Sequence, residues 1–356
     1  MLHSAIAQVM AGQSLGEDQA DATMHEMMSG EAKPAQMAAM LTALRIKGET
    51  VDEITGLARG MRAKALRVTL PDDVLAVDTC GTGGDGAGTF NISTAAAFVI
   101  AACGQPVAKH GNRAATSACG SADVLEALGA RVDLGPDDVA RCVRETHFGF
   151  MFAPAYHPAM RYVAPIRREL GFRTVFNILG PLTNPAGVQH QVMGVADATL
   201  VRPMADVLLR LGSRRALVIH GEDGLDEFSL STYTHVAEVR GDTGEIVEYR
   251  VHPHDLGLAT ADRDAIRGGD AAHNAKLLRG ILSGEITGAP ADIVSLNAAA
   301  ALYVAGRAAS LADGLAQARA QLRPDGALRT LGAFIVMSQD LAVAAEREAA
   351  KVSSGK

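Results

Sequence analysis

The chain has 356 residues, which is long enough for two domains and a large hydrophobic core. Its 48% hydrophobic and 21% charged residues are typical of a soluble globular protein. The net charge of −7 argues against nucleic acid or an anionic membrane as the main partner, but it still allows a local basic pocket for a phosphorylated ligand.

The first 66 residues are predicted to be helical. Ala, Leu, Met, Glu and Gln dominate this region, and apolar residues such as Met37, Met40 and Leu44 recur at helical spacing. These apolar faces exceed what a small bundle needs for its own core, so we expect a homodimer through this region. Residues 66–73 are predicted to form a linker.

From residue 74 the pattern changes to short apolar strands that alternate with helices. The predicted strands are 74–79, 107–110, 131–133, 148–152, 191–195 and 216–220. This alternation predicts a mostly parallel sheet with crossover helices, and residues 236–240 and 246–250 flank a hairpin turn. Residues from 274 onward are predicted to be helical again. The fold class is therefore α/β, with a small all-helical domain and a larger α/β domain whose mostly parallel central sheet is flanked by helices.

One segment interrupts the alternation of strands and helices. Residues 157–170 are predicted to be helical, and residues 172–185 form an irregular connection that contains Gly and Pro. We expect this piece to leave the sheet domain and to pack with the N-terminal helices. The domains are then 1–70 with 157–187 for the helical unit, and 71–156 with 188–345 for the α/β unit.

The glycine-rich segment after the first predicted strand is the most informative part of the chain. Five glycines fall within the eight residues 81–88, more than a turn requires. Glycine lets the backbone approach a ligand closely, and N–H groups at a helix N-terminus favour anions. Asn91, Ser93 and Thr94 add side-chain donors and a helix cap. No Lys follows the glycines as in a Walker loop, and Asp85 is foreign to a dinucleotide site, so Asp85 suits a sugar hydroxyl or a metal ion.

Three further groups of residues point to a ligand with phosphates and a carboxylate. The polar segment 109–121 follows the second strand with two cations, an amide and three hydroxyls, which suits phosphate or pyrophosphate. Asp226 and Glu227 are adjacent acids on a turn beyond a strand, which fits magnesium and, taken alone, fits a solvated acidic turn equally well. Arg167 and Arg168 lie on a predicted helix, where surface charge is the simpler interpretation, although one of them could hold a carboxylate in a cleft.

Together these stretches resemble the anthranilate phosphoribosyltransferase family, and the likeness spans nearly the whole chain. The matching motifs are Gly81-Thr82-Gly83-Gly84-Asp85, Asn91-Ile92-Ser93-Thr94, Lys109-His110-Gly111-Asn112-Arg113, the string from Arg173 to Pro185, and Gly224-Leu225-Asp226-Glu227. The resemblance implies a small helical domain, typically dimeric, beside an α/β domain with the ligand cleft between them.

The resemblance also implies site residues. Phosphoribosyl pyrophosphate (PRPP) would be bound by Gly81, Gly84, Asp85, Thr89, Asn91, Ile92, Ser93, Thr94, Lys109, His110, Gly111, Asn112, Arg113, Ala114, Ala115, Thr116, Ser117 and Ser121. Anthranilate would be bound by Gly81, His110, Asn112, Ala153, His157 and Arg167, with Arg167 on the carboxylate. Magnesium, about two ions with bound PRPP, would contact Ser93, Asp226 and Glu227.

The implied reaction joins the amine of anthranilate to C1 of PRPP and releases pyrophosphate, the second step of tryptophan biosynthesis from chorismate. No single catalytic residue is assigned, because Lys109 and magnesium can stabilise the leaving group and an aromatic amine is already neutral at pH 7. Association with anthranilate synthase is a further implied partnership, and nucleic acid and membrane are not expected partners.

Two rival classes are a nucleoside phosphorylase, which needs neither the acidic pair nor a carboxylate-binding arginine, and a non-enzymatic nucleic-acid-binding paralogue, which predicts a basic surface. The four cysteines lack metal-binding spacing, and no apolar run reaches the roughly 18 residues of a membrane helix. We therefore expect reduced thiols and a cytoplasmic location.

Overall fold

The computed structural model of the chain describes residues 1–114 and 118–354. The predicted N-terminal helical region is confirmed as α1 (Leu2–Met10), α2 (Glu17–Met27), α3 (Pro34–Lys47) and α4 (Val51–Ala63). Helix α4 begins with a capping box, since Thr50 Oγ1 accepts from the Glu53 N–H and the Glu53 carboxylate accepts from the Thr50 N–H. The buried Glu53 also pairs with Lys47 at 2.8 Å, which ties the end of α3 to the start of α4.

A seven-stranded mixed sheet forms the centre of the second part of the chain. Its strands are β1 (Val77–Gly81), β2 (Val107–Gly111), β3 (Phe148–Phe152), β4 (His190–Gly194), β5 (Arg215–Gly221), β6 (Thr234–Arg240) and β7 (Glu245–Val251). The order is β3-β2-β1-β4-β5-β6-β7, with the first five of these parallel and β6 and β7 antiparallel, so the predicted mostly parallel sheet and the hairpin are confirmed.

The predicted strand at 131–133 is wrong. These residues are irregular, and the partly exposed Arg131 side chain pairs with Asp133 at 2.8 Å and with Glu346 at 3.0 Å. The Arg131 backbone N–H donates to Ser338 Oγ at 3.1 Å, so it is not available to a neighbouring strand.

The helices after α4 include those that cover both faces of the sheet. They are α5 (Ile92–Ala102), α6 (Ser121–Ala127), α7 (Pro136–Thr146), α8 (Ala153–Tyr156), α9 (Ala164–Leu170), α10 (Phe176–Leu179), α11 (Val201–Arg210), α12 (Ala271–Ser283), α13 (Ala289–Val304), α14 (Leu311–Arg319) and α15 (Arg329–Ser354). Strand β5 shows the two faces, because Leu217 and Ile219 join one hydrophobic core and Ala216 and Val218 join the other.

The second of these cores is shared between the sheet and the N-terminal helices. It contains residues of α1 to α4, of α11, and of α9 and α10, which contact α3 and α4. Arg62 on α4 donates through Nε to the Leu182 carbonyl, which joins the same two regions. The domain boundaries at 70, 157 and 187 nevertheless stay a prediction.

Among the described residues, one helical stretch, Pro324–Glu348, is long and apolar enough by length and composition to cross a membrane. Core helices of soluble proteins have the same properties. In this stretch Leu331 and Phe334 are fully buried, and the Phe334 ring packs edge-on against Phe148 with centroids 4.7 Å apart. The stretch therefore contributes to the core beside β3.

The strand order places a switch point between β1 and β4, because the chain builds the sheet outward from β1 first through β2 and β3 and then through β4 and β5. In open α/β sheets, ligands bind in the crevice outside the carboxyl ends of strands at such a point. The glycine-rich segment begins at the carboxyl end of β1, at this position.

Candidate active site

The glycine loop, residues 81–89, leaves β1 and is held against the acidic turn that follows β5. Gly83, Gly84, Gly86 and Gly88 have φ between 64° and 76°, a left-handed conformation that glycine adopts without strain. The Gly83 N–H donates to Asp226 Oδ2 at 2.8 Å. The loop is therefore fixed at its first turn by the acid that the sequence predicted for the metal.

Two strand ends must be glycine for Asp226 to take this position. A Cβ on Gly81 would lie 2.3 Å from Asp226 Oδ2, and a Cβ on Gly194 would lie 1.6 Å from the Asp226 carbonyl oxygen. Any side chain on Gly194 would collide with backbone, which cannot move aside. The carboxyl ends of β1 and β4 thus form a notch that seats the acidic turn.

Asp226, Glu227 and Asp85 form an acidic cluster beside the glycine loop. Burial, followed by the charge of Asp226, raises the pKa of Glu227 to about 8, and the Lys109 charge opposes this shift. Burial, followed by the charge of Asp85, raises the pKa of Asp226 to about 6. Carboxylates that repel one another at a dry site are stabilised by a bound cation, and oxygen ligands suit magnesium.

The described residues contain no preformed group of three or more His, Cys, Asp or Glu side chains with metal-binding geometry. The acidic cluster fits magnesium in another way, because Mg²⁺ in phosphate sites takes one or two carboxylates and completes its shell with substrate phosphates and water. Asp226 and Glu227 would supply those carboxylates beside the phosphate loop.

Lys109 lies beneath the glycine loop. Its side chain is 2% exposed, and Nζ donates to the Thr79 carbonyl and, at 3.2 Å, to Ser93 Oγ. The Thr79 hydroxyl in turn donates to the Ser93 carbonyl at 3.2 Å. The ammonium group is therefore a fixed positive charge in the floor of the site, in contact with a predicted metal ligand, and does not project into the cleft.

Helix α5 points its N-terminus at the site, as predicted for residues 91–94. Asn91 occupies the N-cap position of the helix, but its side chain makes no capping hydrogen bond. Its amide instead donates to the Cys119 carbonyl at 3.0 Å, and its Oδ1 accepts from Asn274 at 3.0 Å. Ile92 is buried, and the Thr94 hydroxyl is buried with no partner in the described part of the chain. Thr89 pairs with Arg267 in an isolated bridge that closes the glycine loop.

The second loop follows β2 and lies at the same edge of the sheet. Ser121 Oγ donates to the Asn112 carbonyl at 3.2 Å, and the Ala114 N–H donates to Asp123 Oδ2 at 2.9 Å. A Cβ on Gly111 would lie 2.2 Å from Ser121 Oγ, so Gly111 allows this closure. The predicted residues Ala115, Thr116 and Ser117 lie outside the described residues.

Arg113 is exposed and its guanidinium is turned towards α6. It pairs with Asp123 at 3.1 Å and, through Nη2, with Glu126 Oε1 at 2.7 Å. A phosphate contact by Arg113 would have to compete with these two carboxylates or use its remaining N–H donors. This predicted PRPP residue is thus engaged elsewhere in the structure.

His110 and His157 form a buried aromatic pair at the carboxyl end of β2. Their ring centroids are 5.1 Å apart and the rings are tilted by 54°. Within the described residues, Nε2 of His110 and both ring nitrogens of His157 are buried without a hydrogen-bond partner. Burial lowers the pKa of His110 to about 3 and the pKa of His157 to about 4, so both rings are neutral near pH 7.

Arg167 lies on α9 and is partly buried, whereas Arg168 is exposed. The Arg167 guanidinium lies over the Phe176 ring, 5.4 Å from its centroid, and burial lowers its pKa. No ion pair joins Arg167 to a carboxylate of residues 1–114 or 118–354. Ala153 follows β3 and is adjacent to the end of β2, where Gly111 pairs with Phe152. Across the same described ranges, no hydrogen bond joins Arg167 to the histidine pair.

Two residues next to the predicted site were not selected from the sequence. Arg173 donates to the carbonyls of Gly83 and Gly84 at 3.2 and 3.1 Å, and Asn274 donates to Asn91. Arg173 is the first residue of one of the matching motifs. Its hydrogen-bond partner Gly84 is 89 positions away in the sequence, so the local pattern does not reveal the contact. Nothing in the local pattern around Asn274 indicates its partner.

Each part of the chain matches a known family description. Residues 3–65 match the helical bundle domain of a glycosyl transferase family, and residues 73–328 match the a/b domain of a glycosyl transferase family. The fold and the site therefore define a glycosyl transferase with these two parts.

Similar proteins narrow this class. An anthranilate phosphoribosyltransferase from Rubrobacter xylanophilus is 54% identical over 342 residues, covering 96% of this chain and 99% of the relative. The crystal structure of anthranilate phosphoribosyltransferase from Thermus thermophilus has a TM-score of 0.89 at 45% identity, covering 94% of this chain and 99% of that chain. This chain belongs to the anthranilate phosphoribosyltransferase family.

Two structures of the Saccharomyces cerevisiae enzyme of this family contain ligands. The complex with PRPP and Mg has a TM-score of 0.87 at 26% identity, covering 95% of this chain and 98% of that chain. The complex with 4-fluoroanthranilate has a TM-score of 0.85 at 25% identity with the same coverages of 95% and 98%.

Proposed function

We propose that this chain transfers the phosphoribosyl group of PRPP to the amine of anthranilate and releases pyrophosphate, the second step of tryptophan biosynthesis from chorismate. The observation that carries this proposal is the chemistry at the carboxyl ends of neighbouring strands. A glycine loop held against an acidic cluster follows β1, and a pair of neutral histidines lies at the end of β2. Arg167, over Phe176, has no carboxylate partner among the described residues. A polyanion with magnesium and an aromatic carboxylate are the ligands that these two chemistries accept.

PRPP would be held by the glycine loop, the start of α5 and the second loop. Successive N–H groups at a helix N-terminus stabilise phosphate charge, and Asp85 suits a ribose hydroxyl or the metal. Asp226, Glu227 and Ser93 would hold magnesium, and we propose about two ions because a pyrophosphate offers oxygens for more than one. Bound magnesium would supply charge neutralisation at the leaving pyrophosphate.

Anthranilate would lie along His110, Asn112, Ala153 and His157, with Gly81 at the junction to PRPP and Arg167 on the carboxylate. The histidine rings are neutral, so they can contact an aromatic ring without a charge to desolvate. Arg167 gains a charge-assisted bond that the described part of the protein does not itself provide.

Positioning and leaving-group stabilisation account for the chemistry. The C1–O bond of the ribose breaks through an oxocarbenium-like transition state, as in glycoside cleavage. The anthranilate amine is neutral at pH 7, so no strong general base is needed, and Lys109 contributes a fixed positive charge beneath the departing pyrophosphate. We assign no single catalytic residue.

The direct test is the loss of anthranilate fluorescence when PRPP and magnesium are added to the purified protein. We expect turnover that requires all three components. Turnover of a nucleoside with free phosphate, and none of anthranilate, would replace this proposal with the phosphorylase alternative.

We also propose a homodimer through the N-terminal helices. Met10 and Ile46 are 72% and 81% exposed on this part, a surface that a partner subunit would cover. Light scattering at micromolar protein should give twice the 37.0 kDa chain mass, and a monomer mass would contradict the dimer. Association with anthranilate synthase and a cytoplasmic location stay predictions, the latter supported by four free thiols.

A further inference from the structure

The segment between α9 and α10 reaches across to the glycine loop through one side chain. Arg173 Nη1 donates to the Gly84 carbonyl at 3.1 Å, and Nη2 donates to the Gly83 carbonyl at 3.2 Å. These are the two forward-pointing donors of one planar guanidinium on two successive carbonyls. The fork of an arginine matches this arrangement in a way that the single ammonium of a lysine does not.

The contact requires glycine at the position it covers. A Cβ on Gly84 would lie 2.6 Å from Arg173 Nη1, and Gly84 has φ of 76°. Gly84 thus meets two demands, a left-handed backbone and an open face for the guanidinium. The glycine and the arginine are complementary parts of one contact.

Holding two carbonyls fixes two peptide planes. A trans peptide directs its N–H opposite to its C=O, so the N–H groups of Gly84 and Asp85 point away from Arg173. Gly83 is held separately, because its N–H donates to Asp226. The loop is therefore fixed by a cation on its carbonyl side and by an acid at its first N–H.

The backbone on both sides of Arg173 is anchored, although its side chain is exposed. Gly171 ends α9 with φ of 68°, and the Thr174 N–H donates to Asn177 Oδ1 at 3.0 Å as α10 begins. A loop with five glycines in residues 81–88 loses much conformational entropy when it orders around a ligand. Hydrogen bonds from Arg173 that order the loop before the ligand binds reduce this entropic cost of binding.

We propose that Arg173 is a positioning residue for PRPP, which orients the Gly84 and Asp85 N–H groups towards the pyrophosphate through the loop carbonyls. This proposal rests on the proposed function for the identity of the substrate. The role predicts a loss of PRPP affinity without a matching loss in the chemical step.

The test compares Arg173→Ala, Arg173→Gln and Arg173→Lys with Arg168→Ala, an exposed arginine on the preceding helix. Steady-state kinetics should show the KM for PRPP raised at least about tenfold in Arg173→Ala, the scale of a lost charge-assisted hydrogen bond. The kcat should stay within about threefold and the KM for anthranilate should not change. Arg168→Ala should resemble the unaltered chain.

Rescue distinguishes a hydrogen-bonding role from a direct charge contact. The amide of Arg173→Gln can still donate to one carbonyl, so it should recover part of the affinity. Full recovery by Arg173→Lys with none by Arg173→Gln would show that the charge meets the phosphates directly, and it would overturn the proposal. An unchanged KM for PRPP in Arg173→Ala, or a lower melting temperature with unchanged affinity, would also overturn it.

Calorimetry measures the binding of magnesium pyrophosphate to the protein and requires no turnover. It therefore tests the role of Arg173 separately from the proposed function. Weaker pyrophosphate binding by Arg173→Ala supports the positioning role even if the unaltered chain fails to consume anthranilate. In that case the substrate assignment fails and the role of Arg173 stands.

Discussion

The two proposed substrate sites have opposite electrostatic properties. We call the glycine loop with Lys109, Asp226 and Glu227 the phosphate side, and His110, His157 and Arg167 the aromatic side. On the phosphate side, acids lie close together and their pKa values are raised by burial and by one another's charge. On the aromatic side, burial holds two histidines neutral and lowers the pKa of an arginine that has no carboxylate partner in the described ranges.

Under the proposed function, this difference would let one fold bind two unlike substrates without exchanging them. The phosphate side would be unfavourable until a cation binds, so it would select a ligand that brings magnesium. The aromatic side offers a single charge and neutral rings, so it would favour an aromatic carboxylate over a polyphosphate. Changes on one side should therefore leave affinity on the other side almost unaltered.

The largest expected effect comes from neutralising the phosphate side. The double variant Asp226→Asn with Glu227→Gln should lower turnover by about a hundredfold or more, because it removes electrostatic stabilisation of the leaving pyrophosphate. Its dependence on magnesium concentration should also shift. Anthranilate fluorescence, followed across a magnesium titration, measures both effects.

The matched control for this double variant is Glu222→Gln, an exposed acid on the same turn. It should keep the magnesium dependence of the unaltered chain. An unchanged magnesium titration in the double variant would remove Asp226 and Glu227 from the metal site.

The next effect lies on the aromatic side. Arg167→Ala should lose a charge-assisted pair of roughly 1.5–3 kcal/mol, seen mainly as a higher KM for anthranilate. The KM for PRPP should change little. Kinetics with each substrate varied in turn measure the two constants separately.

Arg168→Ala is the control for Arg167, because neighbours on a helix do not share a face and Arg167 is the one that packs over Phe176. Its effect should be much milder. The reverse ranking, or a loss of PRPP affinity in Arg167→Ala, would show that the assigned helix face is wrong.

A smaller effect on stability should accompany the loss of function on the phosphate side. Because the pKa of Glu227 is raised to about 8 in the folded chain, the folded state binds more protons than the unfolded state between about pH 4.5 and 8. Stability from this residue is therefore lost as the pH rises through that window. At pH 8 without magnesium, the unfolding free energy of Glu227→Gln should exceed that of the unaltered chain by at least about 1.4 kcal/mol. Denaturant unfolding of the two proteins measures this difference.

The control is to measure the same two proteins at about pH 4.5. At this pH the carboxyl of Glu227 is protonated in the folded chain, so it is not repelled by the neighbouring carboxylates. There the gain should vanish. A gain that is equal at both pH values would mean that Glu227→Gln acts through packing and that repulsion is not its cause.

Much of the fold follows from the sequence because hydrophobic periodicity is local. The strand Phe148–Phe152 is predicted with the bounds that it has, since its apolar run is short and ends in clear breaks. The strand at 131–133 is wrong, because three residues carry too little pattern and the Arg131 backbone N–H donates to Ser338, more than two hundred positions away. Short segments depend on tertiary contacts that no window reveals.

In the candidate site too, features carried by residue types could be predicted, and features that depend on distant contacts could not. Asp226 and the glycine loop are predicted as parts of one site from the residue types and the resemblance, and the Gly83 to Asp226 hydrogen bond joins them in the structure. The role of Arg173 could not be predicted, because its partners are backbone carbonyls, which leave no mark on residue type. The missing capping hydrogen bond of Asn91 has a related reason, since Asn274 competes for its side chain from a distant helix.

The smallest expected effect is a pH dependence of stability that comes from His157 on the aromatic side. Its sign is opposite to that of Glu227 on the phosphate side. The folded chain lowers the pKa of His157 to about 4, below the ordinary 6.5, so the unfolded state binds more protons between these values. Stability from this residue is complete above about pH 6.5 and is lost as the pH falls towards 4, by up to about 1.4 kcal/mol for each pH unit. Denaturant unfolding at pH 7.0 and 5.0 should show this loss in the unaltered chain, on a slope to which Glu227 contributes with opposite sign.

The variant that isolates the histidine is His157→Phe, because neither ring nitrogen has a partner to lose among the described residues and the ring volume is nearly kept. The difference in unfolding free energy between this variant and the unaltered chain should move in favour of the variant as the pH falls from 7.0 to 5.0. Subtracting the two curves cancels the contribution of Glu227, which both proteins retain. A pH-independent difference for His157→Phe would mean that the ring is protonated as readily in the folded chain as in the unfolded one, and the contrast between the two sides would then rest on His110 and Arg167.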